Sequence, residues 1–211
     1  MYMQMAIIGI CGKMGSNVYE YYKEEFDIVG IDVKQHPKVK TFHSAKEILD
    51  KVDVVVDFSS PDAYELLIES MNLGCPILSG TTGYSFAQIE QLYELAKQKE
   101  ISFLWKANYA KGIDLFTKLL KECHKEFEIL DFVEIHATSK KDAPSGTAKV
   151  LARSLNISED KIQSLRLNQA PAIHEIIFSS LDEHVYLRHE ILNKKAFLTG
   201  FDEELRKRLR S

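Results

Sequence analysis

The stretch that decides the fold is Met5-Ala6-Ile7-Ile8-Gly9-Ile10-Cys11-Gly12-Lys13-Met14-Gly15, an apolar run that passes directly into a glycine-rich turn. A helical pattern follows, in which Val18, Tyr22 and Phe26 recur at four-residue intervals. Glycines permit a tight turn, and a helix that starts just after it offers free backbone N–H groups to a phosphate. A strand, a glycine turn and a helix in this order predict the first unit of a parallel α/β sheet.

The first half of the chain alternates apolar runs rich in Val and Ile with helical patterns. Runs of this length predict strands, and the segments between them have the residue spacing of helices. Their order predicts βαβ units and a parallel sheet that is buried on both faces. The predicted strands are 5–10, 28–33, 52–58, 76–79 and 101–105, and the predicted helices are 16–26, 63–73 and 85–99.

The pattern changes from about Tyr109, where helices and strands no longer alternate regularly. We therefore predict an α/β fold with a Rossmann-type parallel-sheet domain and a second α+β domain that contains a mixed sheet. The first domain is predicted at 1–108, completed by a C-terminal helix at 195–211, and the second at 109–194. The later predicted helices are 113–127, 146–155 and 202–210, and the later predicted strands are 130–137, 173–179 and 184–191.

The composition favours a small molecule as the partner. A chain of 211 residues with 45% hydrophobic residues can bury a sizeable core, and its formal net charge is −4. Because acids and bases are scattered without a basic stripe, nothing suggests a nucleic-acid partner.

The three cysteines, Cys11, Cys75 and Cys123, are odd in number and widely spaced, which fits neither a disulfide framework nor a zinc site. No metal is expected, and a reducing compartment is the simplest interpretation. No apolar run approaches the roughly 18 residues that span a bilayer, and the first ten residues lack the positive charge of a secretory signal. We therefore expect a cytoplasmic protein without a membrane partner.

Asp32 ends the next predicted strand, seventeen residues beyond Gly15. Rossmann domains place an acid near this position, where it accepts hydrogen bonds from the adenosine ribose hydroxyls, and an acid there favours NADH. Lys34 lies two residues further on and can pair with the extra phosphate of NADPH, so the preference stays open. As a solvated charge at a strand end, Asp32 would carry no such meaning.

Two further strand ends carry polar segments, 57–61 and 80–83. The carboxyl ends of parallel strands are where an open sheet binds its ligand. Ser59, Ser60 and Pro61 are equally explained as the start of the next helix, and the glycines of 80–83 as an ordinary turn. The sequence leaves both interpretations open.

The segment Glu134–Ala148 carries the chemistry. Backbone N–H groups at the start of its predicted helix, with the Thr147 hydroxyl, can bind a substrate carboxylate, and Lys140 can add a positive charge or a proton. Each residue also has an ordinary explanation, because His136 taken alone fits a core or loop histidine and Ser145 fits an N-cap.

Together these motifs resemble the dihydrodipicolinate reductase family. The run Lys-x-Asp-Ala-Pro-Ser-Gly-Thr-Ala at 140–148, preceded by Glu-x-His, is similar to the family's signature segment. The family's other motifs are matched, in order, by residues 9–15, 57–61, 80–83 and 107–112, so that the resemblance spans residues 7–150.

The resemblance implies an NAD(P)H-dependent oxidoreductase that reduces 4-hydroxy-tetrahydrodipicolinate to tetrahydrodipicolinate in lysine and diaminopimelate biosynthesis. It further implies a homo-oligomer, a tetramer or a dimer, formed through a second domain that also binds substrate. By motif, His136 falls on an acid or base and Lys140 on a proton donor. The implied substrate-binding residues are Ser145, Gly146 and Thr147. The implied cofactor-binding residues are Gly9, Ile10, Cys11, Gly12, Lys13, Met14, Asp32, Gly80, Thr81, Thr82, Ala107, Asn108 and Tyr109.

The chain also departs from the family's pattern. Ala137 stands where the family usually has a second histidine, and Asn168 and Ala172 replace two glycines. Two alternatives to the family's reaction therefore stay open. One is a divergent reductase for another cyclic imine or dicarboxylate, and the other is an NAD(P)-binding regulator that has lost catalysis.

Overall fold

The computed structural model describes residues 2–48 and 51–210, with every side chain except that of Leu130. Met1, Leu49, Asp50 and Ser211, which belong to the predicted first domain, lie outside the described residues. The chain divides into two compact units, residues 1–106 with 202–211, and residues 107–201. Among the described residues, no helix is both long and apolar enough to cross a membrane.

The first unit is a parallel sheet with helices between its strands. Six strands lie in the order β3-β2-β1-β4-β5-β6, and all their pairings are parallel. The strands are β1 (Met3–Ile8), β2 (Phe26–Ile31), β3 (Thr41–Phe42), β4 (Val54–Asp57), β5 (Ile77–Ser79) and β6 (Phe103–Trp105). The helices are α1 (Lys13–Tyr22), α2 (Tyr64–Ser70) and α3 (Phe86–Gln98).

Burial on both faces explains why the central strands are continuous apolar runs. Every residue of β4 is buried, and so are the last four residues of β1. Helix α3 begins where Ser85 and Gln88 form a reciprocal capping box, and it packs Leu92 into the core. The predicted Rossmann-type parallel sheet is confirmed.

The second unit holds a mixed four-stranded sheet in the order β10-β9-β7-β8. Strand β7 pairs parallel with β8 and antiparallel with β9, which pairs antiparallel with β10. The strands are β7 (Glu128–Ala137), β8 (Ile162–Leu167), β9 (Ala172–Ser179) and β10 (His184–Ile191). The helices are α4 (Lys111–Glu126) and α5 (Gly146–Ser154), and α6 (Lys195–Leu209) begins in this unit.

One face of this second sheet is covered by apolar helix faces. Ile113, Phe116 and Leu120 recur along α4 at helical spacing, and they share a buried cluster with Leu151 of α5 and Phe132 of β7. The predicted second α+β domain with a mixed sheet is therefore confirmed as an architecture.

Three local predictions differ from the structure. Phe26 was assigned to a helix face, which is wrong because α1 ends at Tyr22 and Phe26 begins β2. The prediction does not include strands β3 and β8, since β3 has only two residues and β8 has a single buried residue, Ile162, followed by exposed and half-buried positions at which both leucines are exposed and two polar residues are half-buried.

The C-terminal helix α6 starts at Lys195, which is the start given in the predicted domain bounds and earlier than the predicted helix 202–210, and its residues up to Phe201 belong to the second unit. Within that unit Phe201 packs edge-on against Tyr109, with ring centroids 5.1 Å apart. A Cβ on Gly200 would lie 1.7 Å from the Tyr109 carbonyl oxygen, so only glycine permits this approach.

Candidate active site

The glycine turn of the first unit is pinned by its own backbone. Gly9 follows β1 with a φ of +77°, and a Cβ there would lie 2.7 Å from the Ser59 Cα. A Cβ on Gly15 would lie 2.1 Å from the Gly9 carbonyl oxygen, which also accepts a hydrogen bond from the Gly12 amide at 2.9 Å. The turn therefore keeps this shape only with glycines at these positions.

Helix α1 begins directly after this turn. Gly12 is its N-cap residue, so no side chain caps the helix, and its first turn contains no acidic residue. Ile10 is buried, whereas Cys11 is half-buried, and Lys13 and Met14 form the start of the helix. A helix N-terminus of this kind attracts an anion, because its backbone N–H groups and the helix dipole both favour negative charge.

Asp32 follows β2 and lies next to the turn. Its carboxylate accepts hydrogen bonds from the Cys11 amide and from the Lys34 amide, both at 3.0 Å. A cavity of about 330 Å³ is lined by the glycine turn, by the segment from Asp32 to Lys34, and by Ser59 and Ser60. Of the predicted cofactor residues at the first two strand ends, Gly9, Cys11, Gly12 and Asp32 line this cavity, whereas Ile10, Lys13 and Met14 do not.

The polar ends of β4 and β5 are joined by a buried carboxylate. Asp57 is fully buried and accepts hydrogen bonds from the Ser79 hydroxyl at 2.7 Å and from the Thr81 hydroxyl at 2.9 Å. Burial raises the pKa of Asp57, although these hydroxyl donors oppose the rise. The Ser59 amide also donates to the Thr81 hydroxyl at 2.9 Å. Thr81 is therefore a structural partner of Asp57 in this structure.

The neighbours of Thr81 have different surroundings. A Cβ on Gly80 would lie 2.1 Å from the Phe58 ring, so glycine is needed for packing there. Thr82 is half-buried in the segment that precedes α3.

The predicted cofactor residues 107–109 fall at the start of the second unit. Asn108 accepts a hydrogen bond from the Ala110 amide at 2.9 Å, and its amide group lies 3.4 Å from the Thr147 hydroxyl. The Tyr109 side chain is buried against Phe201, so a ligand at this position would contact the backbone of Tyr109 and not its side chain.

The second unit carries a polar cluster at the end of its buried sheet face. Phe132 is apolar and buried on β7, and two residues further along the same face comes Glu134, which is fully buried. The strand register places Ser164 of β8 and His174 of β9 on either side of Glu134. The next residue along this face, His136, pairs in register with Arg166.

Glu134 links His136 to Arg166. One carboxylate oxygen contacts His136 Nδ1, and the other accepts a hydrogen bond from Arg166 Nη2 at 2.7 Å. Burial alone would raise the pKa of Glu134, but the contacts with His136 and Arg166 outweigh it and lower the pKa to about 2. The carboxylate is therefore charged at neutral pH and orients the imidazole.

Lys140 lies in the turn that follows β7, and Asp142, its ion-pair partner, belongs to the same turn. Its ammonium group donates to Asp142 Oδ1 at 2.8 Å, and Asp142 Oδ2 accepts from the Gly146 amide at 3.3 Å. Asp142 therefore ties the lysine to the first turn of α5, where Thr147 also lies. A substrate carboxylate that bound the Gly146 amide would compete with Asp142.

Ser145 is buried and is the N-cap residue of α5. Its hydroxyl accepts from the Ala148 amide at 3.2 Å and lies 3.3 Å from His174 Nε2. His174 is 1% exposed, and burial, aided by the nearby His136, lowers its pKa to about 3. His174 is therefore a neutral imidazole at physiological pH.

Glu134, His136 and His174 each offer one ligand atom within 4.8 Å of the others. Both carboxylate oxygens of Glu134 are already paired, one with His136 and one with Arg166. Glu134, His136 and His174 therefore form part of a hydrogen-bonded network. The absence of a metal site stays a prediction.

Comparison with known proteins decides the family. The model described as the N-terminus of dihydrodipicolinate reductase matches residues 3–109, and the model of its C-terminus matches residues 112–209. The chain belongs to the dihydrodipicolinate reductase family. The resemblance inferred from the sequence motifs is thereby confirmed.

Two curated relatives agree with this membership, and a solved structure has the same fold. The 4-hydroxy-tetrahydrodipicolinate reductase of Rickettsia bellii is 33% identical over 220 residues, which is 95% of this chain and 86% of that protein. The enzyme of the same name from Streptococcus sanguinis is 31% identical and covers 95% and 91% of the two chains. A dipicolinate-bound dihydrodipicolinate reductase from Paenisporosarcina sp. TG-14 has the same fold, with a TM-score of 0.77 over 100% of this chain and 96% of that chain, at 23% identity.

Three residues of the family's second unit had no role in the sequence-based site, namely Glu134, Arg166 and His174. Glu134 belongs to the Glu-x-His motif, and Arg166 and His174 flank the replaced glycines, but the sequence does not show which residues these three side chains contact. The available signal was the two-residue spacing of Glu134 and His136, which places both on one face of a strand. The partners Arg166 and His174 come from other strands, and their pairing depends on sheet register.

Proposed function

We propose that this protein uses NAD(P)H to reduce the ring of 4-hydroxy-tetrahydrodipicolinate to tetrahydrodipicolinate in lysine and diaminopimelate biosynthesis. The observation that carries the proposal is the occurrence in one chain of two elements: the glycine turn with Asp32, and the His136–Lys140 segment that precedes α5. Membership of the reductase family supports the same reaction. In balance, the ring gains a hydride and a proton and loses water.

The first unit has the features that a dinucleotide requires. Its glycine turn has no room for a Cβ at Gly9 or Gly15, its helix α1 starts without an acidic residue, and Asp32 lines the same cavity as the turn. The proposed cofactor contacts are residues 9–14, Asp32, residues 80–82 and residues 107–109. The hydride comes from NAD(P)H when that cofactor is bound.

Asp32 favours NADH over NADPH in this proposal. A carboxylate accepts hydrogen bonds from the ribose hydroxyls but repels a phosphate on the same ribose. Backbone amides of Cys11 and Lys34 fix the carboxylate in place. The positive charge of Lys34 favours the extra phosphate of NADPH, so we expect only a moderate preference for NADH.

The second unit supplies the proton chemistry and the carboxylate contacts. Lys140 is the proposed proton donor, and His136, whose Nδ1 contacts Glu134, keeps Nε2 for the substrate. Gly146 and Thr147 bind a ring carboxylate at the start of α5, where backbone N–H groups favour an anion. Ser145 shapes this helix start as its N-cap. Ala137 removes a contact that the family usually has, and we expect weaker substrate binding in consequence.

A coupled assay tests the proposal. Dihydrodipicolinate synthase generates the unstable substrate in place, and absorbance at the nicotinamide band follows NADH and NADPH separately. Oxidation that requires both enzymes is the expected result. Cofactor binding by titration without oxidation would reject this reaction and direct the search to a panel of other cyclic imines and dicarboxylates.

A further inference from the structure

Arg166 connects the two groups proposed for proton chemistry. Its Nη2 donates to Glu134 Oε1 at 2.7 Å, and Glu134 in turn contacts His136. Its Nε donates to the Lys140 carbonyl at 3.3 Å, and Nη2 also donates to the Asp142 carbonyl. One guanidinium therefore touches both the partner of the histidine and the turn that carries the lysine.

The carboxylate that Arg166 binds is deeply placed. Glu134 is fully buried, whereas the Arg166 side chain is 19% exposed. Loss of one partner from a buried ion pair leaves an uncompensated charge, which is costly. Without Arg166, the remaining donor partners of Glu134 are His136 and the Ser164 hydroxyl, so an imidazole and a hydroxyl would be left to stabilise the buried carboxylate.

We propose that Arg166 is a positioning residue for this reaction, which holds His136 through Glu134 and the Lys140 turn through two backbone carbonyls. The inference rests on the proposed function for its catalytic consequence. Arg166 acts through other residues, since its contacts are Glu134 and the carbonyls of Lys140, Leu165 and Asp142.

The geometry requires arginine in particular. A guanidinium is a planar fork with five N–H donors, which serves several acceptors in fixed directions. An ammonium group is a compact charge that can neutralise Glu134 but cannot also reach both carbonyls. Arg166→Lys therefore separates charge from geometry, because it keeps the cation and loses the bridge to the Lys140 turn.

The kinetic test compares Arg166 with a matched arginine of the same sheet. Arg188 on β10 is 46% exposed and also pairs with two carboxylates, Glu175 and Glu190, both at 3.2 Å. Arg166→Ala is expected to lower kcat by about 30-fold, and Arg166→Lys by about 10-fold, because small misplacements of reacting groups are expensive. Arg188→Ala is expected to stay within about twofold of the wild type, as are the cofactor KM values of all three variants.

Thermal unfolding shows which variants are folded. If Arg166→Ala does not fold, Arg166→Lys carries the test, because it retains the cation beside Glu134. A folded Arg166→Lys or Arg166→Ala protein with the kcat of the wild type would overturn the proposal.

A second measurement does not depend on turnover. Nitrogen-15 spectra of the labelled histidines report which ring nitrogen of His136 carries the proton. The expected wild-type tautomer has its proton on Nδ1, facing Glu134, and Arg166→Lys is expected to give a mixture. Wild-type protein without turnover would reject the proposed function, whereas an unchanged tautomer in the Arg166 variants would reject the positioning role.

Discussion

The glycine turn of the first unit and the polar end of β7 in the second unit are built in different ways. The turn is a backbone structure whose parts are close in sequence, from Gly9 to Gly15, with Asp32 joining it from the next strand. The polar cluster is made of side chains from three strands, and its members Glu134, Arg166 and His174 are up to 40 residues apart in the sequence. The glycine turn accepts few residue types at its own positions, but its shape depends on few other residues. The polar cluster depends on each of the side chains that form it. Substitutions in the two regions should therefore fail in different ways.

The largest effect is expected for a side chain that takes part in proton transfer. Lys140→Ala should cut turnover by about 100-fold or more, as for a lost proton donor, while NADH binding stays nearly intact. Lys141→Ala is the matched control, since Lys141 is the exposed neighbour in the same turn. Steady-state kinetics measure the turnover of both variants, and a cofactor titration measures their affinity for NADH. Equal turnover in Lys140→Ala and Lys141→Ala would remove Lys140 from the mechanism.

His174, in the second unit, should make the free energy of unfolding depend on pH. The pKa of His174 is lowered from 6.5 to about 3 in the folded protein, so the unfolded chain binds a proton at mildly acid pH and the folded protein does not. The contribution of His174 to the free energy of unfolding is complete above pH 6.5 and is lost as the pH falls toward 3. The charged or titratable groups that influence it are His136, Glu134, His189 and Lys140.

We expect the free energy of unfolding to fall by about 2 kcal/mol between pH 7 and pH 5 through this group alone. His174→Gln, which keeps a polar neutral group, should lose that part of the pH dependence in urea unfolding. His184→Gln is the control, because His184 is exposed. The same pH dependence in all three proteins would show that His174 is not its source.

The backbone site is tested by two glycines with similar dihedral angles. Gly9 and Gly74 have φ of +77° and +69°, but a Cβ on Gly74 meets nothing within 4 Å. Gly74→Ala should cost about 1 kcal/mol of stability and leave cofactor binding unchanged. Gly9→Ala adds the clash with Ser59 and should weaken NADH binding by about tenfold, a difference of about 1.4 kcal/mol. Equal NADH affinity in both variants would mean that the turn does not hold the cofactor.

The smallest effect is expected for cofactor choice. Asp32→Asn removes the charge and keeps an oxygen for one of the two backbone amides, which bind different oxygens of the carboxylate. It should therefore raise the KM for NADH by about fivefold and leave the KM for NADPH unchanged or lower. Asp27→Asn, an exposed acid of β2, is the control. Parallel changes for both cofactors would argue that Asp32 does not contact the ribose.

Several elements were predictable from the sequence because their signals are local. The strands β4 and β5 are short apolar runs, α3 has its own capping box, and the glycine turn lies between a strand and a helix. The end of α1 was not predictable in the same way. Phe26 continues the four-residue spacing of Val18 and Tyr22, and only the pairing of β2 with β1 shows that the spacing is accidental.

By itself, the sequence determined the α/β alternation, the glycine turn with its acid, and the segment that carries His136 and Lys140. These features depend on residue types at short separations, where chain geometry leaves few choices. The tertiary structure decided that Glu134 is charged and paired, that Arg166 reaches the Lys140 turn, and that His174 is neutral. Those properties arise from strand register and burial, because a buried carboxylate or imidazole takes its charge from partners that distant parts of the chain bring to it.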